Sequence, residues 1–513
     1  MFQDLPHHSN IVRVKKDVDL KRKEQEELEP AIQILSLALE GLTNRHSQLA
    51  NEIEFANASI APIRHLPLET LSNIFEFCAL HDDSAPLPLS RVCRKWKEAA
   101  TSPQIWSRIV IDLDNPNAQE KAALFLLRSR STKLDIELRR PGFNDSGWAA
   151  WYEVLTHSRR WRSLEISAST YGLVNDVLDE LPMCAPNLVH STITVEGFFF
   201  MDTANHFDFQ RLELPADLLS YTKFRSLRLQ TWALPMLSLN PTCVLAQLTT
   251  LHLTDTYAST FRMSDRIRPH PICGNAISVV LSLCPLLETF TFNARESIAY
   301  HSGTCCQDPS HTHGQHTLPA LRHLSLITHH LDTFAIMNGL VCPALRAASI
   351  EPLPRYSSGL TETFGIVWRD LLRRSQAPPL EELHVSAMAP EDIVWTLERS
   401  PRLRCLGLAY CTNPMLVLKA LATPYAYKGR GEFTGKIRWV CPKLSRFYFK
   451  DCFLVSWHSV ARLVRNRHRA YLDGKKLALM VHLVINEHDV FEDRDLNALA
   501  SFKLRQIATL IEP

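Results

Sequence analysis

One phrase recurs through the second half of this chain and restricts its fold more than any other feature: Cys or Ser with Pro, then x-Leu-x-x-Leu-x-Leu. It reads Cys284-Pro285-Leu286-Leu287-Glu288-Thr289-Phe290-Thr291-Phe292, then Leu318-Pro319-Ala320-Leu321-Arg322-His323-Leu324-Ser325-Leu326, then Cys342-Pro343-Ala344-Leu345 leading to Ile350. It returns as Pro379-Leu380-Glu381-Glu382-Leu383-His384-Val385, as Ser400-Pro401-Arg402-Leu403-Arg404-Cys405-Leu406-Gly407-Leu408, and as Cys441-Pro442-Lys443-Leu444-Ser445-Arg446-Phe447-Tyr448-Phe449. Fainter copies lie at Trp161–Ile166, Pro186–Val195, Phe224–Leu229 and Leu248–Leu253. The leucine after each proline, taken as a marker at 286, 321, 345, 380, 403 and 444, gives intervals of 35, 24, 35, 23 and 41 residues. The alternating leucines predict one face of a short strand. Apolar residues before the phrase, such as Ile277, Val280 and Leu281 or Ile393 and Leu397, predict a helix that covers a parallel sheet. One such unit cannot bury its apolar face alone, so the pattern calls for an array.

Length and composition agree with an array. A chain of 513 residues exceeds one ordinary core. Its 46% hydrophobic and 21% charged residues fit a folded protein and exclude wholesale disorder. A formal net charge of +2 gives no global attraction to nucleic acid or to an anionic membrane. The longest apolar candidates, Phe198–Met201 and Leu477–Ile485, are too short to span a bilayer. The first residues, Met1 to His8, lack the pattern of a secretory signal. A cytoplasmic or nuclear location is therefore expected. The 13 cysteines include no C-x-x-C pair and read as reduced core thiols, with Cys184, Cys284, Cys342 and Cys441 all placed just before a proline.

Ahead of the repeats the chain divides into three parts. Residues 1–29 are highly charged and predict a mobile polar tail or a frayed helix start. Pro30 fits the first position of a helix spanning 30–61. Within it Ile32, Leu35, Leu39, Leu42, Leu49, Ile53, Ala56 and Ile60 step by threes and fours, interrupted only by His46. That heptad seam fits either self-association through residues 31–60 or a helix folded back on the downstream domain.

Residues 62–115 form a compact helical module. Pro67 opens a helix, Glu69 lies in its first turn, and Leu71, Ile74, Phe75 and Cys78 share a face. After a polar loop, His81–Pro88, a second helix is predicted from Leu89 with Val92, Cys93, Trp96 and Ala100. Ser102-Pro103 breaks it, and Ile105-Trp106 leads into a strand with Ile109, Ile111 and Leu113. So small a bundle cannot bury all its apolar residues, so part of them should form a surface for a partner or for the next domain.

The series Leu66-Pro67-x-Glu69-x-Leu71-x-x-Ile74-Phe75, Leu89-Ser90-x-Val92-Cys93-x-x-Trp96 and Pro103-x-Ile105-Trp106 resembles an F-box, in particular that of fungal, basidiomycete-type proteins in which a heptad helix precedes the motif. The rest of the chain, residues 116–513, is similar to the irregular leucine-rich domains that follow such F-boxes. The fold class expected is thus α/β: a small helical F-box module preceded by a long helix and followed by an irregular leucine-rich β-α repeat solenoid. The resemblance implies a non-catalytic substrate receptor of a cullin-RING (SCF-type) ubiquitin ligase, whose F-box docks a Skp-type adaptor while the repeats hold a protein substrate. It carries docking or support of docking to Leu66, Pro67, Leu71, Ile74, Leu89, Val92, Cys93 and Trp96. A leucine-rich scaffold outside any ligase is the other reading.

Three further groupings carry weaker chemistry. Cys305, His311, His313 and His316 have zinc-ligand side chains, but their spacing matches no standard finger, and the stretch reads as a solvated insertion. The basic run from Arg462 to Arg469 reads as the solvent face of a helix with Val460, Leu463 and Val464 inward. Phe198-Phe199-Phe200-Met201 reads as a buried anchor. No G-x-S-x-G, Walker loop, G-x-G-x-x-G or H-E-x-x-H motif occurs, so no catalytic residue and no cofactor are implied.

Overall fold

The computed structural model describes residues 8–139, 145–168, 171–181, 185–195, 223–231, 245–255, 274–295, 315–353, 361–411, 413–428, 433–450, 452, 457–475, 477–478 and 482–485. The chain forms two compact units: Met1–Phe77 with Leu87–Ala100, and Cys78–Pro86 with Thr101–Pro513. The Phe198–Met201 cluster, Cys184 and the Cys305, His311 and His313 positions lie outside the described residues.

Among the described residues the second unit is built on one sheet of 13 strands whose spatial order is their order in the chain. The strands are β1 (Arg108–Asp112), β2 (Leu134–Arg139), β3 (Trp161–Ala168), β4 (His190–Val195), β5 (Ser226–Thr231), β6 (Thr250–Asp255), β7 (Thr289–Asn293), β8 (His323–His329), β9 (Ala347–Leu353), β10 (Glu382–Ser386), β11 (Cys405–Ala409), β12 (Arg446–Lys450) and β13 (His482–Ile485). Every neighbouring pair is parallel. Strictly sequential parallel pairing is the topology of a solenoid, in which each unit packs on its neighbours alone. Each recurrence of the leucine phrase, faint copies included, falls on a strand. The alternation is the expected one: on β6, for example, Leu251 and Leu253 are buried while Thr250, His252 and Thr254 are half-buried. Apart from β1, expected from Ile109, Ile111 and Leu113, the strands not legible as copies of the phrase are β2 and β13.

The proline has a defined task. In five of the six strong copies the residue three before the leucine that turns inward accepts a hydrogen bond from that leucine's N–H: Leu287 to Cys284 (3.2 Å), Leu321 to Leu318 (3.2 Å), Leu345 to Cys342 (3.3 Å), Leu403 to Ser400 (3.1 Å) and Leu444 to Cys441 (3.0 Å); in the sixth, the Leu380 N–H bonds the Pro378 carbonyl at 2.8 Å. The five are β-turns with proline second, where its fixed φ is already correct. The acceptor residue is buried each time, and in four of the five it is a small Cys or Ser. Burial pushes the Cys284, Cys342 and Cys441 thiols up to about 12, so they remain neutral core groups. The turn also corrects the marker at 286. The equivalent leucine is Leu287, fully buried, whereas Leu286 is 55% exposed.

Helices cover the sheet as predicted. Gly274–Ser282 buries Ile277 and Leu281, and Pro390–Arg399 buries Ile393 and Leu397. Neighbouring helices approach closely at glycine: a Cβ on Gly365 would lie 1.5 Å from a carboxylate oxygen of Asp392. That carboxylate pairs with Arg369 at 3.0 Å. In the basic run, Arg462, Arg465 and Arg469 are exposed, but Arg467 is buried and departs from the expected solvent face. Its guanidinium donates to the carbonyls of Val440 (3.1 Å) and Cys441 (2.8 Å), the latter also accepting from the Leu444 N–H of the turn. Burial lowers its pKa to about 10.

In the first unit one helix, α1, runs from His8 to Ile60 with Pro30 inside it. Residues 8–29 are therefore helical and not a mobile tail, and Pro30 does not start the helix. The missing N–H and ring clash of an interior proline cost about 3 kcal/mol. Against that, this segment is rich in Lys, Arg and Glu, strong helix formers, with Asp17 and Asp19 four residues ahead of Lys21 and Lys23. Residues 12–57 are all exposed.

The proline turn can be tested by adjacent substitutions. Leu287→Ala should destabilise the protein by about 2–5 kcal/mol, as a buried leucine does, and Leu286→Ala by less than about 0.5 kcal/mol. Thermal melts of the two variants beside the parent give the comparison.

Candidate adaptor-docking surface

The module begins with a 3-10 turn, Pro62–His65, followed by Leu66 in extended conformation, as the residue before a proline prefers. Pro67 then starts helix α2 (Leu68–His81), and the N–H of Leu71 bonds back to the Pro67 carbonyl at 3.1 Å. Leu71, Phe75 and Ala79 recur every four residues and are buried. On the other side of α2, Ile74 is 38% and Phe77 64% exposed.

The second helical stretch departs from expectation. In place of one helix from Leu89, there is a turn of helix, α3 (Pro86–Leu89), and a separate α4 (Arg94–Ala99). Ser90 closes the first piece by donating its hydroxyl to the Leu87 carbonyl at 2.8 Å, and the Arg91 N–H bonds the Pro88 carbonyl at 3.0 Å. Cys93 is extended, with φ −158° and ψ 174°, and precedes α4. Val92 and Cys93 therefore lie on a bend and are exposed, Val92 by 59%.

The two halves of this bundle are tied together by specific contacts. The Trp96 ring lies 5.0 Å from that of Phe75, tilted by 58°. The Ser72 hydroxyl donates to the Ala99 carbonyl at 3.1 Å, and the Lys95 ammonium to the Arg64 carbonyl at 2.9 Å. The eight residues singled out from sequence thus fall into three settings. Pro67, Ile74, Val92 and Cys93 present side chains to solvent; Leu66, Leu89 and Trp96 are half-buried; Leu71 is fully buried and shapes the surface from within. Ile63 and Phe77 are also exposed, by 38% and 64%, and are not among the eight. For Phe77 the signal was present, since it lies two residues from Phe75 and so on a different helical face.

A family model described as F-box-like matches residues 63–112. The chain carries an F-box-like domain. No curated protein matches the chain. The last part of the F-box-like domain, Pro103–Trp106, packs within the second unit. There Ile105 and Trp106 are buried, the Trp106 ring meets Phe125 edge-on at 5.0 Å, and Arg128 covers it at 4.3 Å.

The sheet offers a second surface, made by the residues that alternate with the leucines. In register across β2 to β6 these are Glu137, Glu165, Thr192, Arg228 and His252. A hollow of about 230 Å3 lies at the start of this row, lined by Arg108, Asp135, Glu137, Glu165, His190 and Thr192 among others. Burial alone would raise the Glu137 carboxyl, but hydrogen bonds from Arg139 (2.5 Å) and Arg108 (2.8 Å) hold it below the usual range. Burial, and then the neighbouring charge of Glu137, push Glu165 up. Further along, His384 of β10 sits over Gly407 of β11, where any Cβ would lie 2.1 Å from its Nδ1. Burial lowers the pKa of His384. The Cys405 sulfur is 3.6 Å from its Nε2, but burial also raises that thiol to about 11, which leaves it a poor nucleophile.

Among the described residues no group of three metal-ligating side chains comes together. Of the zinc candidates, His316 lies on a two-residue strand, His316–Thr317, paired with Leu340–Val341. No helix among the described residues is long and apolar enough to cross a membrane.

The raised pKa of Glu165 sets the sign of a test. Ionising this carboxyl costs folded-state stability as pH rises through its folded pKa, and below its unfolded pKa the cost is gone. Glu165→Gln should therefore melt above the parent at pH 7.5, and the gap should close as pH falls toward about 4, near the ordinary carboxylate range. A lower melting temperature for the variant at pH 7.5 would show that attraction to Arg108, Arg139 and Arg228 outweighs burial.

Proposed function

We propose that the protein is a non-catalytic substrate receptor of a cullin-RING ubiquitin ligase. The F-box-like domain docks a Skp-type adaptor, and the repeat unit holds a protein target. The observation that carries the reading is the conjunction of a matched F-box-like domain with exposed apolar side chains in the same small bundle: Ile63 on the 3-10 turn, Ile74 and Phe77 on α2, and Val92 on the bend before α4. An apolar cluster in so small a unit is suited to a partner. Pro67, Ile74, Val92 and Cys93 are assigned direct contact, Leu66, Leu89 and Trp96 partial contact, and Leu71 support from inside.

The polar row of the 13-stranded sheet is the target-binding face in this reading. Its hydrogen-bonding side chains are spaced by the fixed distance between strands, so a target would be recognised by its pattern of donors, acceptors and charge. Ubiquitin transfer is then accelerated by proximity alone: a target lysine held near the charged carrier gains effective concentration. Such a receptor acts in the cytoplasm or the nucleus, where the ligase works.

The test uses the full chain and purified Skp-type adaptor. Trp96→Ala removes the ring that packs on Phe75, so loss of binding there would confound docking with folding. Val92→Asp and Ile74→Asp change exposed positions. Each should weaken adaptor binding about tenfold or more, equivalent to ~1.4 kcal/mol, with an unchanged melting temperature. A folded parent chain that binds no adaptor would leave the scaffold reading in its place.

A further inference from the structure

The continuity of α1 changes what its seam can do. Because residues 8–60 share one helix, the three-four stepping read over 32–60 can be followed upstream through Pro30 without a change of phase. From Val14 to Ala56 the seam positions are Val14, Val18, Lys21, Gln25, Leu28, Ile32, Leu35, Leu39, Leu42, His46, Leu49, Ile53 and Ala56, six full heptads. Ten of these thirteen are apolar, and the large ones are 41–69% exposed. Such a stripe is unstable against water, and a strict 3.5-residue period stays in contact only with a partner of the same period. Among the described residues the next longest helix has 16 residues, Trp457–Leu472. It is too short to cover the seam.

We propose that α1 pairs with α1 of a second copy as a parallel two-stranded coiled coil. The choice of strand number and direction comes from the seam itself. One set of core positions, the a set, holds β-branched Val18, Ile32 and Ile53 with Gln25, Leu39 and His46, and the other, the d set, holds Leu28, Leu35, Leu42 and Leu49 with Val14, Lys21 and Ala56. β-branched residues at a with leucine at d favour two parallel strands. Small residues flank the seam at Ala31, Ser36, Ala38, Thr43 and Ala50, so the helices can approach closely. Parallel alignment sets Asp17 of each copy beside Arg22 of the other, while Glu24 meets Glu29. The latter, with Lys21 and Gln25 in the seam, makes the N-terminal part the weaker half. Gln25 faces its counterpart, and one polar a position fixes register at a cost in stability. This inference does not rest on the adaptor reading. If both hold, the dimer is a receptor with two target faces.

Sedimentation velocity on the full chain at micromolar concentration should give twice 58.4 kDa. Leu35→Asp with Leu42→Asp should return the mass to that of one chain. Leu37→Asp, on the opposite face though 68% exposed, should leave the dimer intact. His46→Leu should make it resist dilution at least about tenfold further, because a polar a residue costs stability. Gln25→Cys should cross-link two chains on oxidation where the parent does not. A single-chain mass for the parent overturns the proposal, as does dissociation by Leu37→Asp equal to that by the seam pair. A dimer that Gln25→Cys fails to cross-link overturns the parallel arrangement.

Discussion

The second unit depends on one constraint: a strand with leucines on alternate positions can satisfy its backbone and bury its apolar side only by lying in register beside another of its kind. Each strand here hydrogen-bonds to its chain neighbours along the whole of a short ladder, and each buried row, such as Leu251 and Leu253 beside Phe290 and Phe292, continues the row before it. Neither hydrogen bonds nor burial can be completed by one repeat, so stability is cooperative between neighbours and weak beyond them. The β-turn ahead of β7, β8, β9, β11 and β12 fixes where the chain enters the ladder, and the close approach at Gly365 lets two covering helices follow the same spacing.

Much of this was legible because the repeat writes its physics into spacing. A turn proline followed by leucines two residues apart is hard to place elsewhere than at the start of a buried strand, and even the faint copies held. What was misread was local. Leu286 and Leu287 are indistinguishable by type, and only the turn's hydrogen bond shows which points inward. Arg467 sits among arginines of ordinary exposed appearance, and its burial follows from carbonyls belonging to a loop 26 residues away. A strand such as β2, without a proline turn, gives no phrase to find.

The N-terminal unit teaches the reverse. An interior proline is costly, so Pro30 reads as a boundary, yet the charged residues before it are good helix formers and the helix continues. The heptad frame upstream is thin, with Lys21 and Gln25 in the seam, and becomes readable only once the helix is known to be unbroken. In the F-box-like domain, sequence singled out apolar positions without separating those that hold the bundle from those that face outward. Leu71 and Val92 are both apolar motif residues, and they end fully buried and 59% exposed. Helical periodicity separates the first from its neighbours. For Val92 it could not, because the helix breaks at Ser90.

Strand register is kept while the chain between strands varies widely. Only 23 residues separate the starts of β10 and β11, but 41 separate those of β11 and β12, and the pairing on both sides remains parallel and in step. Extra length in a connection adds little closure entropy and leaves the ladder untouched. Lineages can therefore lengthen, shorten or replace these connections one at a time without refolding the array. Change in a connection is thereby uncoupled from the fold: the rim of the sheet can differ while the ladder beneath it is inherited unchanged.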